Sequence, residues 1–192
     1  MTAELSRESM DVVAVWQRLS SEVVQSSPAF RVHQDAVVRP DGGHETRLHV
    51  VVPASVTVLA VDDLDRVVLT RQWVYTHGGS EWRLPGGPIT DQDAGPEVAA
   101  RRELAESTGL RAAAWTRIGR VHGADAVCDH VEHVFRAGGV SAIGGSHGAR
   151  VRRVPFADAV ELVRQGRLPH AGSAHAVLAE ALRRAVPEPR SR

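Results

Sequence analysis

Short runs of apolar and β-branched residues, separated by turn residues, dominate the chain as far as residue 75. Runs of this kind are typical of β-strands. They predict strands at Glu22–Val24, Phe30–Arg39, Arg47–Val52, Ser55–Val61 and Arg66–Tyr75. The second strand is expected to end at a turn that begins with Pro40 and Asp41 and continues with two glycines. The pattern therefore predicts a meander of strands in the first part of the chain.

Elsewhere, apolar residues recur at the spacing of a helix. Residues 9–19 are interpreted as a short amphipathic helix, or as an extended arm whose register the pattern does not fix. Pro96 suits the first turn of a second helix, and Gly109 is placed to end it. Two more helices are predicted at Phe156–Arg164 and Ala174–Ala185. Further strands are predicted at Trp115–Val121, Val131–Ala137 and Val151–Val154. Strands and helices thus share one chain, and the predicted fold class is α/β.

Composition narrows the class of protein. A chain of 192 residues with 43% hydrophobic content can bury one full core. Basic and acidic residues balance at 23 each, so no global field favours nucleic acid or a membrane surface as the partner. The single cysteine, Cys128, excludes an internal disulfide and a cysteine metal cluster, which fits a reducing compartment. Because the sequence shows neither a long apolar run nor a secretion leader at Met1, a cytoplasmic protein without a membrane span is expected.

The candidate chemistry lies in a glycine loop and the helix after it. Glu103 and Glu106 are three residues apart on that helix, so both carboxylates lie on one face, and Arg102 can reach Glu106. Two neighbouring carboxylates repel each other unless a cation, most simply Mg²⁺, lies between them. Gly86 and Gly87 would let the backbone approach a metal or phosphates closely. The alternative is a solvated helix face with an ordinary ion pair to Arg102 and a plain turn at the two glycines.

This stretch resembles the Nudix hydrolase signature, G-x5-E-x7-R-E-U-x-E-E-x-G-U with U apolar. The match is Arg102-Glu103-Leu104-x-Glu106-Ser107-x-Gly109-Leu110. The resemblance implies a Nudix α/β/α sandwich with a mixed sheet, spanning residues 46–186. It also implies catalytic roles for Glu103, Glu106 and Arg102, with Mg²⁺ or Mn²⁺ held by the two glutamates.

Residues 1–45 form a predicted N-terminal β-strand extension, and residues 187–192 a disordered tail. An extension that ends in a Pro-Asp-Gly turn is similar to the one in the ADP-ribose pyrophosphatase branch of the family. In that branch the extension helps to build a homodimer, so the resemblance implies a homodimer here.

Two other segments resemble the same branch. Arg71-Gln72-Trp73 is similar to its Arg-Gln-Tyr segment, which implies substrate-binding roles for Arg71 and Trp73; the alternative for Trp73 is simple packing in a strand. An Asp-Glu pair before a strand ending in Phe-x-Ala is represented here by Asp129-His130, and the resemblance places His130 at the substrate. Relatives commonly carry a catalytic glutamate in the following glycine loop, where His147 is the only titratable residue.

The chain departs from the family pattern at three acidic positions. Counting back from Arg102 places the first acid at Ala94 and the family glycine at Pro88. Either the loop has gained a residue after Gly87 or it has changed its course, and Asp91 or Asp93 is close enough to replace the acid. The other two positions are Ser107, in place of the second acid of the Glu-Glu pair, and His130.

The leading hypothesis is a metal-dependent Nudix hydrolase that cleaves the diphosphate of a nucleoside diphosphate linked to another moiety, such as ADP-ribose or a nucleotide sugar. One alternative is a catalytically silent Nudix domain that binds a nucleotide as a sensor or scaffold. A second is a tailoring enzyme that acts on a non-nucleotide diphosphate. All three expect a small-molecule partner, with no nucleic acid.

Overall fold

The computed structural model describes residues 15–143 and 150–186. The chain forms two compact units. Within the described residues, the N-terminal unit holds 15–52 together with Ala126–Asp129, and the main unit holds Pro53–Asp125, 130–143 and 150–186. The predicted division into functional regions at residue 45 stays a prediction.

The N-terminal unit is built on one antiparallel sheet. Its strands are β1 (Gln17–Ser26), β2 (Arg31–Val38) and β3 (His44–Val51), in the order β1-β2-β3. The turn between β2 and β3 is the predicted one, and the Asp41 carboxylate accepts a hydrogen bond from the Gly43 N–H at 2.9 Å. Gly42 has φ of 84°, a left-handed conformation that glycine adopts without a steric penalty.

Of the two interpretations of residues 9–19, the amphipathic helix is wrong and the extended arm is correct where the structure describes these residues. Gln17, Arg18 and Leu19 lie in β1, which pairs with β2 along its whole length. Every residue of β1 is exposed, so the strand is held by backbone hydrogen bonds to β2 and not by a buried apolar face. Residues 9–14 lie outside the described residues.

The main unit contains two sheets and three helices. The strands are β4 (Ser55–Ala60), β5 (Arg66–Val74), β6 (Gly79–Arg83), β7 (Gly86–Pro88), β8 (Leu110–Val121), β9 (Glu132–Ala142) and β10 (Arg150–Pro155). The helices are α1 (Pro96–Thr108), α2 (Phe156–Arg164) and α3 (Ala171–Ala185). One sheet has the antiparallel order β10-β5-β6. The other has the order β7-β4-β9-β8 and is mixed, because β4 and β9 run parallel.

Residues of β4 point alternately to two hydrophobic clusters. Val56 and Val58 belong to a cluster with Leu104 of α1, whereas Leu59 belongs to one with Val177 of α3. This alternation is that of a strand covered on both faces. The mixed sheet therefore has helices on both sides, and the predicted α/β/α sandwich is confirmed. In the described part of the chain, no helix has the length and apolar character needed to span a lipid bilayer.

Helix α1 begins and ends as predicted. Pro96 is its first residue, and Gly109 follows its last with φ of 67°, where its N–H bonds the carbonyl of Ala105 at 2.8 Å. Other predicted bounds were too short. Helix α3 begins at Ala171, and β9 continues through residues 138–142, which had been interpreted as loop, because β8 pairs with them.

Candidate active site

The two glycines after β6 bring the backbone against its neighbours. Gly86 and Gly87 lie in β7 and pair with Thr57 and Val56 of β4. A Cβ on Gly86 would overlap the carbonyl oxygen of Val56. A Cβ on Gly87 would lie 2.5 Å from the carboxylate oxygens of Glu103, so only glycine leaves room for that carboxylate. The loop and α1 therefore form a cradle in which the carboxylate of Glu103 rests on the backbone of Gly87.

Arg102 connects the two glutamates of α1. Its Nη1 donates to Oε1 of Glu103 at 2.7 Å and to Oε2 of Glu106 at 3.1 Å. The side chain of Glu103 is 12% exposed, whereas that of Glu106 is 62% exposed. The guanidinium compensates the repulsion between the two acids, and these charge-assisted bonds orient both carboxylates. The predicted group Arg102, Glu103 and Glu106 is thus brought together with Gly86 and Gly87.

Asp93 holds Arg102 from the other side. Its Oδ1 accepts a bond from Nε of Arg102 at 3.0 Å and its Oδ2 one from Nη2 at 2.8 Å, a bidentate pair. Thr90 donates to the same Oδ2 through its backbone N–H and its hydroxyl, both at 2.9 Å. The Asp93 side chain is only 3% exposed. The hydrogen bonds from Arg102, followed by those from Thr90, hold the pKa of Asp93 well below its ordinary value. The carboxylate therefore stays ionised and anchors Arg102.

This arrangement shows that the first acidic position is not lost at Ala94. Five residues separate Gly87 from Asp93, as in the family signature, whereas eight residues separate Asp93 from Arg102 in place of seven. The loop has gained a residue after Asp93, and counting back from Arg102 therefore missed the acid by one position. Counting forward from Gly87 would have found it. Asp91, the other candidate, is exposed.

Asp93→Asn is expected to lower the rate of hydrolysis by about tenfold, because an amide cannot give Arg102 two charged acceptors and the glutamates lose their fixed geometry. Initial rates on the best substrate would measure this effect. Asp91→Asn makes the same chemical change two residues away and is the control, for which the wild-type rate is expected. Equal rates for the two variants would show that Asp93 does not anchor the site.

Ser107 does not replace the missing acid. Its hydroxyl donates to the backbone carbonyl of Glu103 at 2.5 Å, one turn back in α1. This bond turns the side chain along its own helix, a common arrangement for serine within helices. This position therefore carries neither the second acid of the Glu-Glu pair nor a side chain that could act in its place.

His130, Arg71 and Trp73 lie on other strands or loops. Nε2 of His130 lies 2.9 Å from Oγ of Ser55, whose residue pairs with Pro88 of β7. Arg71 and Trp73 are two residues apart in β5, so their side chains lie on the same face of the strand, and both are exposed. Trp73 is 66% exposed, so the alternative that it is simply packed is wrong. His147 lies outside the described residues.

The residues present fit a divalent cation that shares its coordination with a substrate. Within residues 15–143 and 150–186, no cluster of three or more His, Cys, Asp or Glu side chains is suited to a metal. Mg²⁺ commonly takes only one or two protein carboxylates and completes its shell with water and substrate phosphates. Glu103 in its cradle and the exposed Glu106 supply that number, and Glu106 is free to move because most of its side chain is in solvent.

The fold and this site together define a class: an α/β/α sandwich in which an Arg-Glu-x-x-Glu helix faces a glycine loop. The model of the NUDIX domain family matches residues 51–173. The chain therefore belongs to the Nudix hydrolase family.

Named relatives share most of the described fold. The ADP-ribose pyrophosphatase of Mycobacterium tuberculosis is 30% identical over 129 residues, which cover 67% of this chain and 62% of that enzyme. The CMP-5'-(N-acetyl-N-hydroxy-3-aminopropyl)phosphonate hydrolase of Streptomyces rubellomurinus is 28% identical over 169 residues, or 85% of this chain and 81% of that enzyme. A crystal structure of an ADP compounds hydrolase superposes with a TM-score of 0.77 at 19% identity, covering 88% of this chain and 95% of that one, which shows a shared fold.

Proposed function

We propose that the protein hydrolyses the diphosphate of a nucleoside diphosphate linked to another moiety, of the ADP-ribose or nucleotide-sugar type, with Mg²⁺ or Mn²⁺. The observation that carries this proposal is the carboxylate of Glu103, held against the backbone of Gly87 and fixed by Arg102. The pyrophosphatase from M. tuberculosis and the CMP-phosphonate hydrolase from S. rubellomurinus support it, because both are named for nucleotide-linked substrates.

Glu103 and Glu106 would hold the metal, which when bound supplies charge neutralisation of phosphate oxygens and an activated water. The protein's own part is positional. Asp93 keeps Arg102 in place, Arg102 orients Glu103, and Gly87 leaves the space that the carboxylate of Glu103 occupies. Glu106 would exchange its contact with Arg102 for the metal, which its exposure permits.

Arg71 and Trp73 would bind the nucleoside end of the substrate. An exposed indole on a strand can stack on a base, and an arginine on the same face can pair with phosphate. His130, hydrogen-bonded to Ser55 beside β7, would contact the phosphates or the second moiety.

Trp73→Ala is expected to raise KM for the nucleotide substrate by about tenfold and to leave kcat within about twofold, since stacking is lost equally in the ground state and the transition state. Steady-state kinetics give both constants. Tyr75→Ala removes another exposed aromatic residue and serves as the control. An unchanged KM for Trp73→Ala would remove Trp73 from the binding site.

The test of the function is a product analysis. The purified protein is incubated with ADP-ribose, nucleotide sugars, a CMP-linked phosphonate and prenyl diphosphates, each with Mg²⁺, with Mn²⁺ or with excess chelator. A nucleoside monophosphate among the products, formed only with metal, is the expected result. Absence of turnover for every compound in both metals would contradict the proposal.

A catalytically silent nucleotide-binding domain is the second candidate. It is favoured by Ser107, which offers no carboxylate, and by Arg102, which neutralises both glutamates without a metal. Isothermal titration calorimetry distinguishes the two candidates. A silent binder takes up the nucleotide in the presence of chelator and releases no product when metal is added.

The third candidate is a tailoring enzyme that acts on a non-nucleotide diphosphate. Turnover of a prenyl diphosphate in the product analysis, with ADP-ribose, the nucleotide sugars and the CMP-linked phosphonate left intact, would select this candidate. The lost and shifted acidic positions would then be an adaptation to that substrate.

We further infer a homodimer in the cytoplasm. The sheet of the N-terminal unit leaves large apolar side chains exposed, including Trp16, Leu19, Val23 and Phe30. A second copy that covers them would remove apolar surface from water. Light scattering coupled to size exclusion tests this inference, and a monomer at micromolar concentration would contradict it.

A further inference from the structure

Three polar side chains, Glu132, His170 and Ser173, line up within the main unit behind the glycine loop. Nε2 of His170 lies 3.5 Å from Oε1 of Glu132, and Nδ1 of His170 lies 3.0 Å from Oγ of Ser173. The hydroxyl of Thr57 donates to the same Oε1 of Glu132. Ser173 and Glu132 are both buried, at 0% and 5% exposure. We call this group the Glu132–His170–Ser173 chain.

The backbone N–H of Leu84 donates to Oγ of Ser173 at 3.0 Å. The Ser173 hydroxyl and Nδ1 of His170 share a hydrogen bond whose direction depends on the tautomer of the imidazole. On the other side of the ring, Nε2 faces the carboxylate of Glu132. A chain of polar contacts thus runs from the backbone of Leu84 to a buried carboxylate.

The group has the composition of a Ser-His-acid hydrolytic triad, but its geometry excludes nucleophilic catalysis. The Ser173 oxygen has no exposed surface and already accepts the bond from Leu84. A nucleophile must be able to reach a reacting carbon or phosphorus atom. The contact that this group makes outside itself is the hydrogen bond from the Leu84 N–H to Ser173, which holds the Leu84 backbone.

Leu84 begins the segment that carries the glycine cradle. Pro85 follows, and its carbonyl accepts a bond from the Val58 N–H at 2.8 Å. Gly86 and Gly87 come next, with Gly87 against Glu103. The segment Leu84–Gly87 is therefore fixed at its start by Ser173 and at Pro85 by β4. Gly172 is part of this arrangement, since a Cβ there would overlap the carboxylate of Glu132.

We propose that Glu132, His170 and Ser173 are positioning residues, which hold the Leu84–Gly87 segment so that Gly87 can cradle Glu103. The effect on catalysis rests on the proposed hydrolase function, whereas the effect on the segment does not. Ser173 acts through Leu84, and His170 and Glu132 act through Ser173.

Burial favours the neutral form of His170. It is the largest cause that lowers the pKa of this residue, and the nearby charge of Glu132 opposes the shift. The charges of Arg83 and His130 also lower that pKa, and the charge of Glu81 raises it. A neutral imidazole has one nitrogen that donates and one that accepts, so His170 can contact both Ser173 and Glu132 without carrying a charge.

Hydrogen exchange of the Leu84 amide tests whether Ser173 holds the segment. The exchange rate is expressed as a protection factor, which removes the intrinsic pH dependence of exchange. Ser173→Ala and His170→Ala are each expected to lower the protection of Leu84 by about tenfold at pH 7, the loss of one buried hydrogen bond.

Glu161→Gln is the control, because it removes only an exposed contact with Arg164 on α2. It is expected to leave the protection factor of Leu84 unchanged when samples are compared at equal distance below their Tm. Equal protection of Leu84 in wild type, Ser173→Ala and His170→Ala would overturn the proposal, and so would an equal loss in Glu161→Gln.

Kinetics then test the consequence for the site. Ser173→Ala is expected to lower kcat more than it changes KM. Lower protection of Leu84 with unchanged kcat would overturn the catalytic part. If the wild type hydrolyses none of the compounds, the proposed function fails, while the exchange measurement still decides whether Ser173 holds the segment.

Discussion

Glu103→Gln is expected to lower kcat for diphosphate hydrolysis by about 10³-fold, the largest effect of any single substitution in the molecule. Glu103 is the acid that rests on Gly87 and is fixed by Arg102 at 2.7 Å. Glutamine has the same shape and can still accept that bond, so the cradle stays intact while the anionic metal ligand is lost. Because Ser107 provides no acid beside Glu106, the substitution leaves Glu106 as the one remaining carboxylate of the proposed pair.

Initial rates at saturating Mg²⁺ and at saturating Mn²⁺ measure this effect. The matched control is Glu97→Gln, on the same helix, where the carboxylate is 52% exposed and pairs with Arg101 at 2.7 Å. Its rate is expected to stay within about twofold of the wild type, since an exposed ion pair contributes little. A Glu103→Gln enzyme with more than about a tenth of the wild-type kcat would show that the metal is held elsewhere.

The local part of the site could be predicted from the sequence. Pro96, Gly109 and the spacing of Glu103 and Glu106 fix a helix and the face on which its acids lie, because caps and helical periodicity act within a few residues. Such local rules do not predict contacts between residues that are distant in the sequence.

Two positions illustrate that limit. The start of β1 was left open between a helix and an extended arm because its exposed apolar residues have no inward face, and only its pairing with β2 makes it a strand. Asp93 was not recognised as the partner of Arg102, because the residue gained after it shifts the spacing while the loop still delivers the carboxylate to the guanidinium.

The Glu132–His170–Ser173 chain was missed for a different reason. Its members come from β9 and from the start of α3, and no motif connects them. One signal was present in the sequence. Glu132 is two residues before the core residue Val134, so its carboxylate lies on the inward face of β9 and needs partners.

Glu180→Gln is expected to lower the free energy of unfolding by about 3 kcal/mol, the largest loss of stability from a single charge. The side chain of Glu180 is 1% exposed and lies among three guanidinium groups. Arg183 donates to it at 2.7 and 2.8 Å, Arg184 at 2.9 Å, and Nε of Arg136 lies 3.3 Å away. An amide leaves these three cations without their buried counter-charge, which costs more than the lost hydrogen bonds.

Urea denaturation at neutral pH measures the difference in the free energy of unfolding. The control is Glu161→Gln on α2, where the carboxylate is 49% exposed and pairs with Arg164 at 3.3 Å. This variant is expected to lose less than about 0.5 kcal/mol.

The hydrogen bonds from Arg183 are the main cause that lowers the pKa of Glu180 from 4.5 to about 2. Since the folded pKa lies below the unfolded one, the charge contributes its full stability above about pH 4.5 and loses it as the pH falls towards about 2. The stability gap between wild type and Glu180→Gln should therefore stay constant from neutral pH to about pH 5 and then close in acid. A gap that stays open in acid would mean that Glu180 stabilises α3 through packing and not through its charge.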